Sequence, residues 1–147
     1  MLNEDYKDIL QNLLEEKVKF LVVGAYAMAI YKKPRATGDI DIWVEASKTN
    51  SEKILKALVR FGAPIKDLDK HTFAEKGIVF QIGVAPRRID LITYIDGVEF
   101  DSAYKSKKIV DIEGLKVPFI SKKDLIKNKK STSRIKDMAD AEELEKQ

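Results

Sequence analysis

The chain has 147 residues, 44% of them hydrophobic, which predicts one domain with a buried core rather than a disordered chain. It contains no cysteine and one histidine, which excludes disulfides, thiol nucleophiles and any site that needs two imidazoles. The net charge of +3 is smaller than a protein that binds nucleic acid by bulk electrostatics normally carries. No apolar run reaches the ~18 residues of a membrane span, and no secretory leader is visible, so we expect a cytoplasmic protein without a membrane partner.

The first half of the chain predicts helices and strands in alternation. Apolar side chains at helical spacing indicate helices, and β-rich apolar or alternating runs indicate strands. The predicted helices cover residues 4–16, residues 25–31 and a segment from Asn50 or Ser51, as the cap, to Phe61. The predicted strands cover residues 18–23 and 38–45, and a loop containing Pro34 covers residues 32–38.

The second half predicts four strands followed by two helices. The strands cover residues 78–84, 88–94, 109–112 and 115–119, the last two forming a hairpin around Glu113-Gly114. Ser121 and Asp124 form a capping box that opens one helix, and a last helix covers about residues 133–145. This order predicts an α+β fold, a mixed sheet with packed helices. We expect a single domain over residues 1–147, with a helical C-terminal part from about residue 121.

Three aspartates stand where strands would bring carboxylates together. Asp39 and Asp41 are separated by one residue, and alternate residues of a strand point to the same face. Adjacent carboxylates repel each other unless a cation lies between them, and Mg²⁺ prefers hard oxygen ligands. Asp90 is a charge inside an otherwise apolar strand, which is unfavourable unless the charge is used. These three residues are therefore the predicted ligands of Mg²⁺ or Mn²⁺.

The same residues also have simpler interpretations. An alternating Asp-Ile-Asp-Ile segment is typical of any amphipathic edge strand, and alone it indicates structure more often than function. The Gly24-Ala25 turn is a weak signal for a helix N-terminus that binds phosphate. Trp43 and Tyr94 share strand faces with the aspartates, and both are predicted mainly as packing residues. The conjunction of turn, helix, Asp-x-Asp strand and lone strand aspartate is more specific than any one part.

These motifs resemble the signature of the DNA polymerase β-like nucleotidyltransferase superfamily. More narrowly, the chain is similar to small prokaryotic nucleotidyltransferases related to the toxins of AbiE-type toxin–antitoxin systems. The resemblance runs over nearly the whole chain. It is carried mainly by Gly24-Ala25, Arg35-Ala36-Thr37-Gly38-Asp39-Ile40-Asp41, Arg88-Ile89-Asp90-Leu91 and the segment from Leu125 to Asp140.

The resemblance implies a polymerase β-like fold and roles for particular residues. Gly24 and Ala25 would contact nucleotide phosphate, and Asp39, Asp41 and Asp90 would be catalytic and hold the metal. Ala25 departs from the family pattern, which usually has glycine or serine there, so a hydroxyl contact to the nucleotide is lost while the backbone N–H is kept.

Four further residues have two interpretations each. Arg35 would contact the triphosphate and Thr37 would order the loop, or both belong to a solvated basic loop. Lys129 and Arg134 would bind nucleotide phosphate. Alternatively, Arg134 and Lys136 pair with Asp137 and Asp140 at helical spacing on the last helix, and the lysine run at 127–130 is a solvated face.

The sequence thus predicts an Mg²⁺-dependent enzyme that transfers a nucleoside monophosphate, from ATP or another nucleoside triphosphate, to a hydroxyl. The acceptor is left open between a protein, a tRNA and a small molecule. The resemblance also implies a toxin–antitoxin system and a cognate antitoxin or other partner protein. The alternative is a catalytically inactive module of the same fold that binds a nucleotide or a partner. A third interpretation is a structural α+β domain whose aspartates are ion-paired at the surface.

Overall fold

The computed structural model describes residues 2–32 and 38–146, which contain six helices and six strands. The helices are α1 (Glu4–Glu15), α2 (Gly24–Tyr31), α3 (Lys48–Phe61), α4 (Phe100–Lys105), α5 (Lys122–Ser131) and α6 (Ile135–Glu145). The strands are β1 (Phe20–Val23), β2 (Ile40–Val44), β3 (Val79–Ile82), β4 (Ile89–Ile92), β5 (Lys108–Ile112) and β6 (Leu115–Phe119). A short 3₁₀ turn covers Thr72–Ala74.

The six strands form one mixed sheet in the order β3-β4-β2-β1-β6-β5. β2 pairs with β4 and β1 pairs with β6 in parallel, whereas the other neighbours are antiparallel. The central strands β1 and β2 are mostly buried, because helices cover the sheet. This architecture confirms the predicted α+β class with a mixed sheet and packed helices.

Local signals explain most of the element boundaries. The Ser121 hydroxyl accepts a hydrogen bond from the Asp124 backbone N–H (3.1 Å), so the predicted cap of α5 is confirmed. Gly62 ends α3 in the left-handed region at φ 90°, as a glycine stop should. Glu113 and Gly114 form the tight turn between β5 and β6, both with positive φ, which confirms the predicted hairpin.

One local prediction, the cap of α3, was wrong. Ser47, rather than Asn50 or Ser51, caps α3, since its hydroxyl accepts a hydrogen bond from the Asn50 N–H (3.1 Å). The Asn50 side chain instead joins two strands, accepting from Lys19 N (2.8 Å) and donating to the carbonyl oxygens of Lys19 and Glu45. A buried amide with four hydrogen-bonding sites serves this bridge better than it serves a cap.

The short helix α4 was not predicted from the sequence. It has six residues and no side-chain cap, so neither helical periodicity nor a cap announces it. Its aromatic residues pack instead: the Phe100 ring meets Trp43 edge-on at 5.0 Å and stacks on Tyr104 at 5.4 Å. Tertiary packing therefore stabilises this helix.

Among the described residues, no helix is both long enough and apolar enough to span a membrane. The predicted loop over residues 32–38 lies mostly outside the described residues. His71 is exposed, as the polar sequence around it predicts.

Candidate functional site

The parallel pairing of β2 and β4 brings two of the predicted aspartates together. Asp41 and Asp90 stand opposite each other in the register of these strands, and their carboxyl groups are within hydrogen-bonding contact. Asp39 lies one residue before β2 and close enough to affect Asp41 electrostatically. Asp90 is buried, with 7% of its surface exposed, while Asp39 and Asp41 are half-buried. The sheet therefore gathers three carboxylates at one place.

The electrostatic consequence appears on Asp41. Burial is the largest of the causes that raise the pKa of Asp41 to about 6, and the neighbouring carboxyl groups of Asp90 and Asp39 contribute in the same direction. The positive charge of Arg88 opposes this rise but does not cancel it. Asp41 therefore carries a negative charge that its protein environment disfavours, which is the condition that a bound cation would relieve.

Arg88 is a site residue that the sequence analysis did not identify. Its side chain donates to both carboxylate oxygens of Asp90, from Nε to Oδ1 (2.7 Å) and from Nη2 to Oδ2 (3.1 Å). Its Nη2 also lies 3.0 Å from Asp39 Oδ2, and its backbone N–H donates to Asp39 Oδ1 at 3.0 Å. The spacing of two residues between Arg88 and Asp90, within the strand predicted over residues 88–94, was the available signal.

Among the described residues, three carboxylates face one guanidinium, and the excess negative charge falls on Asp41. This donor set fits a hard divalent cation. In residues 2–32 and 38–146, no three or more histidine, cysteine or acidic side chains are already arranged to hold a metal ion. Two of the three carboxylates, those of Asp39 and Asp90, are paired with Arg88. A metal would have to compete with Arg88 for these two residues.

Gly24 places the backbone directly against Asp41. β1 passes into α2 without a loop, and Gly24 makes the junction at φ +68°, a conformation that favours glycine. A Cβ atom built on Gly24 would overlap Asp41 Oδ2, so any larger residue would displace that carboxylate. Ala25 follows in the first turn of α2, whose free N–H groups begin beside the aspartates.

A cavity of about 250 Å³ opens beside these residues, between the strand ends and the C-terminal helices. It is lined by Gly24 and Asp41 on the sheet side and by Lys129 and Arg134 on the helical side. The structure thus brings together two distant parts of the chain that were predicted to bind the same ligand.

The helical wall of this cavity contains a compact charge cluster. Lys129 is 8% exposed, and its Nζ lies 3.3 Å from Asp137 Oδ1 and 3.2 Å from Asp140 Oδ2. Arg134 Nε and the Thr132 hydroxyl both donate to Asp137 Oδ2 at 2.7 Å. Burial by itself raises the pKa of Asp137, but these hydrogen bonds and positive charges outweigh burial and leave that pKa below its usual range.

Lys129 and Arg134 differ in how much of their charge is free. The Lys129 ammonium is buried between two carboxylates, so it joins α5 to α6. The Arg134 side chain is 76% exposed, and Asp137 holds only its Nε. The predicted pairing of Arg134 with Asp137 is confirmed, and the remaining guanidinium nitrogens stay near the cavity.

Tyr6, on α1, supports the entrance to both acidic strands. Its hydroxyl lies 2.5 Å from the Gly38 carbonyl oxygen and 3.2 Å from the Arg88 carbonyl oxygen. Burial is the main cause that raises the pKa of Tyr6 to about 12, so the hydroxyl keeps its proton as a donor. The remaining two predicted residues, Arg35 and Thr37, lie outside the described residues.

Comparison with known proteins supports the fold. No family model matches the chain, and no curated protein matches it in sequence. A crystal structure from Thermotoga maritima, of a protein provisionally assigned as a nucleotidyltransferase, aligns with a TM-score of 0.61 and 17% identity. The alignment covers 99% of this chain and 94% of that one. The likeness shows a shared nucleotidyltransferase fold over the full length, and at this identity it shows nothing about substrates.

Proposed function

We propose that the protein is a metal-dependent nucleotidyltransferase of the polymerase β-like type, which transfers a nucleoside monophosphate to a hydroxyl acceptor. One observation carries the proposal: Asp41 and Asp90 face each other in register, with Asp39 beside them, and the glycine turn opens a helix against Asp41. Carboxylates crowded next to free helix N–H groups suit a substrate that combines a metal cation with phosphate.

Asp39, Asp41 and Asp90 are the residues that would hold Mg²⁺ or Mn²⁺. When bound, such ions lower the energy of the negative charge that develops on the attacking and departing oxygens. When Arg88 releases Asp39 and Asp90, their carboxylate oxygens become free to bind the metal ions. The displaced guanidinium remains beside the site, where it can pair with the phosphate groups of the substrate.

The reaction forms one bond and breaks one. The acceptor oxygen bonds to the α-phosphorus, the bond from that phosphorus to the bridging oxygen of the β-phosphate breaks, and pyrophosphate leaves. The hydroxyl proton must go to a base within hydrogen-bonding reach, and Asp90 is the proposed base. Its position opposite Asp41 in the register of β2 and β4 supports this assignment.

The phosphate groups would be held from two sides. Gly24 and Ala25 offer backbone N–H groups at the start of α2, and Arg134 faces the cavity from the helical wall. Lys129 lines the same cavity, but two carboxylates already take up its charge, which makes Arg134 the stronger candidate. Arg35 and Thr37 remain proposed nucleotide contacts on the sequence pattern alone.

A transfer assay tests this proposal. Each α-³²P-labelled nucleoside triphosphate is incubated with the protein and Mg²⁺ or Mn²⁺, and total tRNA, lysate protein and a small-molecule fraction serve as separate acceptor pools. We expect label in one pool, lost in Asp39→Asn and Asp41→Asn but kept in the control Asp67→Asn, an exposed aspartate outside the cavity. Transfer that persists in Asp41→Asn would overturn the assignment.

A second candidate function is a nucleotide- or partner-binding module without turnover. The observation that favours it is the Arg88 fork, which already pairs with Asp39 and Asp90. Calorimetric binding of nucleotide without label in any pool would support this module. The tRNA or protein acceptor, and a cognate antitoxin as partner, belong to the first proposal. Growth arrest on expression, relieved by a co-expressed neighbouring gene, tests them.

A further inference from the structure

The remaining question is where the nucleobase would lie, and Tyr94 is distinctive in this respect. Of the twelve aromatic residues in the sequence, all of them within the described ranges, Tyr94 alone has an exposed side chain, at 52%. Within the described part of the chain, its ring makes no ring contact and its hydroxyl no hydrogen bond. Tyr94 therefore contributes little packing, contrary to the prediction from its strand position.

The position of Tyr94 relates it to the reacting groups. Tyr94 comes after the end of β4 and lies four residues beyond Asp90. In extended chain this separation is roughly 13 Å, which is comparable to the length of a nucleoside monophosphate. Its side chain lines the cavity that contains Asp41 and Arg134, together with Ile92 from the same strand. A nucleotide with its α-phosphate at the carboxylates would extend towards this ring.

The chemistry of the cavity singles out the same residue. Most of the lining is polar or charged, which suits phosphate and ribose. Tyr94 adds the aromatic face, and Ile92 and Ile95 add apolar surface. Tyr94 also lines a neighbouring cavity of about 200 Å³, which contains Trp43 and Phe100, so both sides of the ring border open space. Bases of every kind stack on such an aromatic face.

We propose that Tyr94 is the stacking platform for the nucleobase, in the cavity between the strand ends and the C-terminal helices. The proposal rests on the proposed nucleotide-dependent function and adds the location of the base. Because stacking accepts any base, the proposal also expects modest discrimination among ATP, GTP, CTP and UTP.

The experiment compares nucleotides with inorganic tripolyphosphate, which has the phosphates but no base. Isothermal titration calorimetry with Mg²⁺ measures each ligand on the wild type, Tyr94→Ala and Tyr94→Phe. The control is Val79→Ala, which removes a 60%-exposed side chain outside both cavities. We expect Tyr94→Ala to weaken nucleotide binding by about ten-fold or more. Tyr94→Phe should bind as the wild type does, and tripolyphosphate affinity should stay constant throughout.

Each other outcome has a definite meaning. If the wild type binds nucleotide and tripolyphosphate, and Tyr94→Ala binds both equally well, the platform is overturned while the proposed function stands. Equal weakening of both ligands also overturns it, since the residue would then act on phosphate or on the fold. A wild type that binds neither ligand overturns the proposed function itself, and the platform with it.

Discussion

Two charge clusters face the same cavity, and they differ in the balance between negative and positive charges. In the helical cluster, the carboxylates of Asp137 and Asp140 meet the cations of Lys129 and Arg134, and the pKa of Asp137 lies below its usual range. In the strand cluster, Asp39, Asp41 and Asp90 meet one cation among residues 2–32 and 38–146, Arg88, and the pKa of Asp41 rises to about 6.

The difference separates a structural cluster from one that can bind a cation. A buried ion pair with all its partners holds elements together, and breaking it leaves an uncompensated charge. A cluster with surplus negative charge is held in an unfavourable state until a ligand or a proton relieves it. The four predictions below test this distinction, in order of decreasing effect.

The largest effect is expected from Lys129→Met. The substitution leaves the buried carboxylates of Asp137 and Asp140 without the ammonium between them, at a cost of about 3–5 kcal/mol in the free energy of unfolding. Urea denaturation measures this cost. Lys130→Met is the matched control, because that lysine pairs with Glu145 at the exposed surface and should cost less than about 1 kcal/mol. A loss in Lys129→Met as small as in this control would show that the helical cluster is not structural.

A smaller loss is expected from Arg88→Met. The guanidinium is 30% exposed, so solvent screens part of the negative charge that is left on Asp39 and Asp90, and we expect a smaller loss of stability at pH 8 than in Lys129→Met. Added Mg²⁺ should recover part of this loss, because the cation replaces the missing charge. Arg87→Met, at the exposed neighbouring arginine, should change neither the stability nor its response to Mg²⁺. Stability that Mg²⁺ leaves unchanged in Arg88→Met would argue against a cation site.

The third substitution, Asp41→Asn, is expected to stabilise the protein rather than destabilise it. The pKa of Asp41 is raised when the protein folds, so the folded state binds the extra proton between about pH 4 and pH 6, and its contribution to stability is lost as the pH rises through 6. Asparagine cannot ionise. Asp41→Asn should therefore be more stable than the wild type by about 2 kcal/mol at pH 8, without metal, and no more stable at pH 4.

The pH dependence is read as the difference between variant and wild type, from urea denaturation at each pH. This difference removes the contribution of other carboxyl groups, such as Asp137, whose pKa is lowered and whose effect on stability runs the other way. A stability difference between variant and wild type that stays constant from pH 4 to pH 8 would contradict the raised pKa of Asp41.

The smallest effect is expected from metal binding to the wild type. At ten times its dissociation constant, Mg²⁺ should add about 1.4 kcal/mol to stability at pH 8, measured as a rise in Tm. The rise should disappear in Asp39→Asn and persist in Thr132→Val, which alters only the helical cluster. A rise that survives in Asp39→Asn would place the metal elsewhere.

Much of the fold was readable because its signals are local. The Ser121 cap, the Gly62 stop and the Glu113-Gly114 hairpin depend on residues a few positions apart, and the structure contains all three. Helix α4 was missed because contacts between Phe100 and Trp43, distant in sequence, stabilise it. Asn50 was mistaken for a cap because its partners lie on other elements, including Lys19.

The sequence by itself determined the composition of the site: an Asp-x-Asp strand, a lone strand aspartate, a glycine turn and a basic C-terminal segment. Such features depend on residue type and strand period alone. Only the tertiary structure decided how the charges are distributed, because pairing depends on which strands and helices become neighbours. It placed Arg88 between Asp39 and Asp90, buried Lys129 between two carboxylates and left Tyr94 exposed at the cavity.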